Sequence, residues 1–432
     1  MLKVTVKFLL IYLSFNVLIP KIVSAYSNHG ENGSINGLVF EDKVYNAKIK
    51  TVNLYVNSGK RNSRLEPAAI NIRSPHHLLL EFDELYEDAR YFQAKIFHCN
   101  WDWTPSELKP IEYLPTYNEY EVFEYEYSFN TKIPYTHYIF QVPPVLIPGN
   151  YLLVLYSKDN EEDLVLSRRF MVFDQQIAIA HSVEKSAGIQ QIRTHQQIDF
   201  IINYRGLEIF NPEFDIKVVI RQNQSWVTSI SNLKPSEIRE IDKTLEFRHF
   251  NLENNFYGGN EFRFFELNSV RAPGRNVDRV FIQDDKIDAF LFQDKARGSE
   301  FYSIWDDLNG GYVIINIDGR DPAIESEYAS THFFLKSAEK IPSDIYIFGK
   351  LSDYKLLPDY KMKYDPALGG YFGNLLLKQG WYDYIYYTPD MMYAIEGSHF
   401  ETRNEYEIFV YYKPQGRITE FLAGYSYFSN QR

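Results

Sequence analysis

The chain has almost no cysteine: one thiol, Cys99, in 432 residues. A single thiol cannot close an internal disulfide, so the fold must be held by its core. Positive charge is also in short supply. Asp and Glu number 57 against 45 Lys and Arg, a net charge of −12. Phosphate backbones and anionic lipid are bound by basic surfaces, so nucleic acid and membrane surfaces are disfavoured partners. The common enzyme signatures are missing. There is no G-x-S-x-G elbow, no H-E-x-x-H, no G-x-x-x-x-G-K-[ST] loop and no G-x-G-x-x-G. Triads are defined by geometry, so these absences alone do not exclude an enzyme. No repeat of fixed period and no low-complexity tract is visible.

What is present is aromatic side chains and two-residue alternation. The 35 Tyr and 32 Phe favour β-structure, because flat rings pack well on pleated surfaces. Lys3 and Lys7, a short apolar run over 8–19 and the small residues Val23-Ser24-Ala25 read as a signal peptide over 1–25, cleaved after Ala25. The run is shorter than the ~20 residues a spanning helix needs, so no membrane insertion is expected. Residues 26–37 read as a flexible N-terminus. Strands are expected at 51–56, 78–82, 92–99, 121–129, 135–142, 151–156 and 168–173. Trp101 and Trp103 would continue the strand through Cys99, and Asp83-Glu84 would form an acidic turn. Further strands are expected at 197–204, 214–221 and 256–268, with a helical turn at 235–237 and a hairpin at Asn309-Gly310-Gly311. The last set falls at 345–349, 381–387, 405–412 and 421–428. Many short strands between turn residues predict an all-β chain of three consecutive immunoglobulin-like β-sandwich domains, over 38–174, 175–326 and 327–432.

Several residues could carry chemistry, and each has a plainer reading. His98 and Cys99 suggest a base and a nucleophile, but neighbours on a strand point to opposite faces, so Cys99 reads as a buried structural thiol. His76-His77 could ligate a metal, yet no third ligand is suitably spaced. Asp284-Asp285 and Asp306-Asp307 could bind calcium. The run from Asp306 to Gly311 lacks the alternating acids of a calcium loop and reads as a hairpin turn. Glu161-Glu162-Asp163 reads as a solvated loop tip. A carboxylate pair for sugar hydrolysis depends on a separation that only three dimensions give. Tyr382, Tyr384 and Tyr386 alternate with another aromatic-bearing face. Such a strand either lies inside a contact between domains or exposes a binding surface. No residue is assigned as catalytic, cofactor-binding or metal-binding, no cofactor or small-molecule substrate is expected, and no interface residue is identified.

The run His98-Cys99-Asn100-Trp101-Asp102-Trp103-Thr104-Pro105-Ser106-Glu107-Leu108 resembles the type IX secretion system plug protein family. So do Leu80-Glu81-Phe82-Asp83, Tyr135-Thr136-His137-Tyr138, Pro148-Gly149-Asn150-Tyr151 and Ser167-Arg168-Arg169-Phe170. Gly258-Gly259-Asn260-Glu261-Phe262-Arg263 and Leu377-Lys378-Gln379-Gly380-Trp381-Tyr382 continue the resemblance in the same order. It implies a non-enzymatic periplasmic protein that binds the outer-membrane translocon barrel and closes its pore when no cargo partner is bound. A second resemblance is narrower. Residues 345–387 are similar to early-set domains that bind starch or glycogen by stacking a sugar on tryptophan in the loop after the first strand, where this chain has tyrosine instead. Here the corresponding loop is Leu351-Ser352-Asp353-Tyr354. It implies the alternative of a periplasmic or surface carbohydrate-binding protein.

Overall fold

The computed structural model describes residues 36–389, 391 and 393–430. The expected signal peptide and most of the expected flexible N-terminus lie outside the described residues. The described chain is all-β, with three four-residue α-helices and two 3-10 turns among its strands. Its strands form three pairs of facing sheets, each pair around its own hydrophobic core.

The first core lies between two sheets. One has the order Lys43–Val44, Asn160–Phe173, Gly149–Ser157, Phe92–Cys99, Tyr120–Val122, and Ala69–Asn71 also pairs with Asn160–Phe173. The other has the order Ile49–Asn57, His77–Glu84, Thr136–Gln141, Glu124–Tyr127. Phe92, Ala94 and Ile96 point into this core, as their alternation predicts. Trp101 and Trp103 do not extend that strand. The chain turns after Cys99, with the Thr104 carbonyl accepting from the Asn100 amide (2.8 Å) and Trp103 at φ +68°. The expected acidic turn at Asp83-Glu84 is also absent. Both residues lie in the strand His77–Glu84, fully buried. The strand expected over 121–129 divides at Phe123: its first part joins one sheet, its second part the facing sheet.

The second core lies between a five-stranded and a four-stranded sheet. The first holds Ala178–Lys185, His195–Asn203, Thr244–Phe247 and Glu237–Arg239, with Asn255–Tyr257 beside His195–Asn203. The second runs Ser225–Ser231, Ile216–Gln222, Glu405–Tyr412, Phe421–Ser429. Phe214 and Asp215, expected to begin a strand, sit in the short helix Pro212–Asp215, and the strand starts at Ile216. The helical turn expected at 235–237 does not form: Pro235 and Ser236 are irregular, and Glu237 begins the strand Glu237–Arg239.

The third core is built from Arg263–Leu267, Gly380–Tyr387, Tyr312–Ile314 and Tyr346–Phe348 on one side. Val277–Ile282, Ile287–Leu291, Tyr328–Lys336, Gly370–Lys378 and Lys363–Asp365 form the other. The turn at Asn309-Gly310 is present, with φ of +50° and +84°, but it precedes Tyr312–Ile314 without joining two paired strands.

The expected boundary at 326/327 does not separate sheets. Ile216–Gln222 pairs with Glu405–Tyr412, and Ile287–Leu291 pairs with Tyr328–Lys336. Both ladders cross that position. The strands of the third core are threaded between Asn255–Tyr257 and Glu405–Tyr412 of the second. Hydrophobic alternation locates strands but does not say which distant strand completes a sheet.

Candidate functional site

The residues singled out for chemistry are scattered over the fold. The His98 ring lies among Tyr113 and Tyr151, and burial pulls its pKa down to about 4, so it stays neutral. Its Nδ1 is 2.9 Å from Ser106 Oγ. Gly149 is fixed by this ring, since a Cβ there would lie 2.5 Å from His98 Nε2. Cys99 is buried, and desolvation pushes its thiol far above the ordinary range. His76 and His77 are exposed. Asp284-Asp285 sit at a bend between Val277–Ile282 and Ile287–Leu291. Among the described residues, no group of three or more His, Cys, Asp or Glu could hold a metal ion. Glu161 is partly exposed and pairs with Lys95 (2.5 Å).

Asp383 is buried and Asp307 half-buried, a pair of acids that the sequence reading did not connect. Burial pushes Asp307 up to about 7, with the Glu261 charge adding to it. Burial, followed by the charge of Asp307, raises Asp383 well above the carboxylate range. Their oxygens are already occupied. Asp307 accepts from the Phe262 amide (2.5 Å) and the Asn309 amide (3.0 Å). Asp383 accepts from Trp381 Nε1 (2.8 Å) and from the amides of Leu308 and Gly310. The pair therefore staples the segment before Tyr312–Ile314 to the sheet. Asp306 is exposed and pairs with Arg403 (3.0 Å). Tyr354, the ring that would stack a sugar, is buried among Phe262, Phe348, Ile385 and Tyr387. Tyr382, Tyr384 and Tyr386 are buried in the third core.

The motifs quoted for the resemblance meet at the seams between the cores. At the first seam, Asp83 faces the third core. Its Oδ2 accepts from Lys378 Nζ (2.7 Å) and the Tyr328 hydroxyl (2.6 Å), and its Oδ1 is 2.7 Å from His137 Nδ1. Burial alone would raise Asp83. The Lys378 charge and the bonds from His137 and Lys378 outweigh it and hold the carboxyl below its ordinary value. Lys378 Nζ also donates to the Ala323 carbonyl (2.6 Å) and lies 4.1 Å above the Tyr135 ring. The Tyr135 hydroxyl donates to the Ser326 carbonyl (3.0 Å). Arg168 adds an ion pair to Asp353 (3.1 Å). Beside it, a cleft of about 410 Å³ is lined by Lys50, Tyr312, Lys350, Tyr360 and Leu376.

At the second seam, Trp103 packs edge-on against Trp226, with ring centroids 5.2 Å apart. The Arg169 guanidinium lies 4.5 Å from the Trp103 ring centroid, and that of Arg221 lies 4.2 Å from Trp226. Arg221 is held in turn by both oxygens of the buried Glu407 (2.7 and 2.8 Å). Asn150 reaches the Asn100 carbonyl (3.1 Å) and accepts from the Tyr411 hydroxyl (2.9 Å).

A third cluster joins the two ends of the threaded segment. Glu396 is buried and takes Arg263 Nε (2.9 Å), Arg297 Nε (2.6 Å) and the Tyr386 amide (2.9 Å). Asn260 Nδ2 donates to the Glu396 carbonyl (2.9 Å). Gly258 allows the closest approach, because a Cβ there would lie 1.9 Å from the His399 carbonyl oxygen. These clusters join the three cores to one another. None of these seams was assigned from sequence. The available signal was the charged residues inside the motifs: Asp83, Arg168, Arg169, Arg263 and Lys378.

Residues 49–174 match the family model described as "Type 9 secretion system plug protein 1st domain". No curated protein matches the chain. Among solved structures, it is similar to a hypothetical protein from Parabacteroides merdae ATCC 43184. The two are 28% identical, with a TM-score of 0.86, over 91% of this chain and all of that one.

Proposed function

We propose, from the premise that this chain belongs to the type IX secretion system plug family through its first domain, that it is a non-enzymatic periplasmic plug. It would bind the outer-membrane translocon barrel and close its pore when no cargo partner is bound. The observation that carries this reading is the match over 49–174. The seams support it. A stopper must keep its shape under load, and buried ion pairs with satisfied hydrogen bonds break at a cost of several kcal/mol. We propose three sandwich domains, with the third inserted into the second, and delivery by a cleaved signal peptide at 1–25.

The test has two parts. The tagged wild-type chain is recovered from solubilised envelope, where the translocon barrel is expected with it. A deletion strain that still makes the translocon is expected to become more permeable to bulky antibiotics. No barrel in the eluate, together with unchanged permeability, would refute the proposal.

A further inference from the structure

We propose that residues 120–127 are the docking edge of the plug, and that its occupant is an extended basic segment of the translocon that adds as a strand. This rests on the plug reading above. Tyr120–Val122 is the last strand of one sheet of the first domain, and Glu124–Tyr127 is the last strand of the facing sheet. One stretch of chain therefore forms the open edge of both sheets. Each part pairs on one side only among the described residues.

Proteins usually guard such an edge with lysine, proline or a covering loop. This one has neither lysine nor proline, and it exposes Phe123 (69%) and Tyr127 (51%). Tyr125, between them, turns inward against Tyr138. The opposite alternation carries Glu124 and Glu126, both exposed and neither in an ion pair. The cations nearby in the chain and the adjoining strands are already committed. Lys158 pairs with Glu121 (2.8 Å), Lys95 with Glu161 (2.5 Å) and Arg90 with Glu84 (2.7 Å).

The edge thus offers backbone groups for a ladder, exposed aromatic rings and two uncompensated carboxylates two residues apart. An added strand with Lys or Arg at alternate positions matches that spacing, because opposite charges across a ladder attract and like charges repel. The same repulsion disfavours a second copy of this chain, whose own edge is equally acidic.

The experiment compares wild type with the double variant Glu124→Lys/Glu126→Lys, using Glu162→Lys as a charge control. Each tagged full chain is used to recover the translocon barrel from solubilised outer membrane. The double variant is expected to recover about tenfold less barrel, and the control as much as wild type. Equal recovery by the double variant, with wild type recovering barrel, overturns the edge and leaves the plug reading standing. No recovery by wild type overturns both. Amide hydrogen exchange on the wild-type complex decides the matter should the double variant misfold. Amides of 123–127 are expected to slow by about tenfold on binding, and unchanged exchange there overturns the inference.

Discussion

Glu396 is enclosed by Arg263, Arg297 and the Tyr386 amide, and its acidity follows from that enclosure. Burial alone would raise its pKa. The two guanidinium charges and their hydrogen bonds reverse the sign and bring it down to about 2, from 4.5. A carboxyl whose folded pKa is depressed stabilises the fold fully above its unfolded value, and that stabilisation is lost as pH falls through the folded one. The contribution of Glu396 is therefore complete above about pH 4.5 and disappears toward pH 2. It amounts to about 3 kcal/mol. Asp83 works in the same direction. Urea unfolding followed from pH 6 to 2.5 is expected to show a steep loss of stability across that window, with a shallower slope for Glu396→Gln. An unchanged slope would mean that Glu396 is not held ionised. Such residues were hidden in the sequence. Two adjacent acids, Asp83 and Glu84, read as an acidic turn, because the partner that makes Asp83 tolerable inside is Lys378, in a different sheet pair.

Elements that meet only local demands were legible. Phe92–Cys99, Thr136–Gln141 and Gly380–Tyr387 fall where alternation places them. The segment 120–129 was misread as a single strand, because its aromatic alternation is regular while its pairing partner changes at Phe123. Residues 101–103 were misread as more strand because their bend serves Trp226, on the strand Ser225–Ser231 of the second core. That contact gives the seam a measurable weight. Trp226→Ala removes a ring that lies near both Arg169 and Arg221. It is expected to lower stability by roughly 2–4 kcal/mol and to speed limited proteolysis at the connection around 174–176. Cleavage at the wild-type rate would show that the stack does not hold the first domain in place.

For the molecule as a whole, the all-β class was legible and the partition was not. A division at 326/327 would cut five ladders. Fragments 36–326 and 327–430, expressed separately, are therefore expected to lose the second and third cores while the first domain within 36–326 stays folded, as read by circular dichroism and gel filtration. Two independently folded fragments would contradict the pairing. Seen as a chain being made, the same threading sets an order of events. Ile216–Gln222 must wait for Glu405–Tyr412, roughly 200 residues later, before its sheet is whole. A nascent polypeptide leaving the ribosome thus carries a half-built layer with a bare flank for most of its synthesis, while the intervening body matures first. Shielding of that flank during synthesis is then a need written into the connectivity.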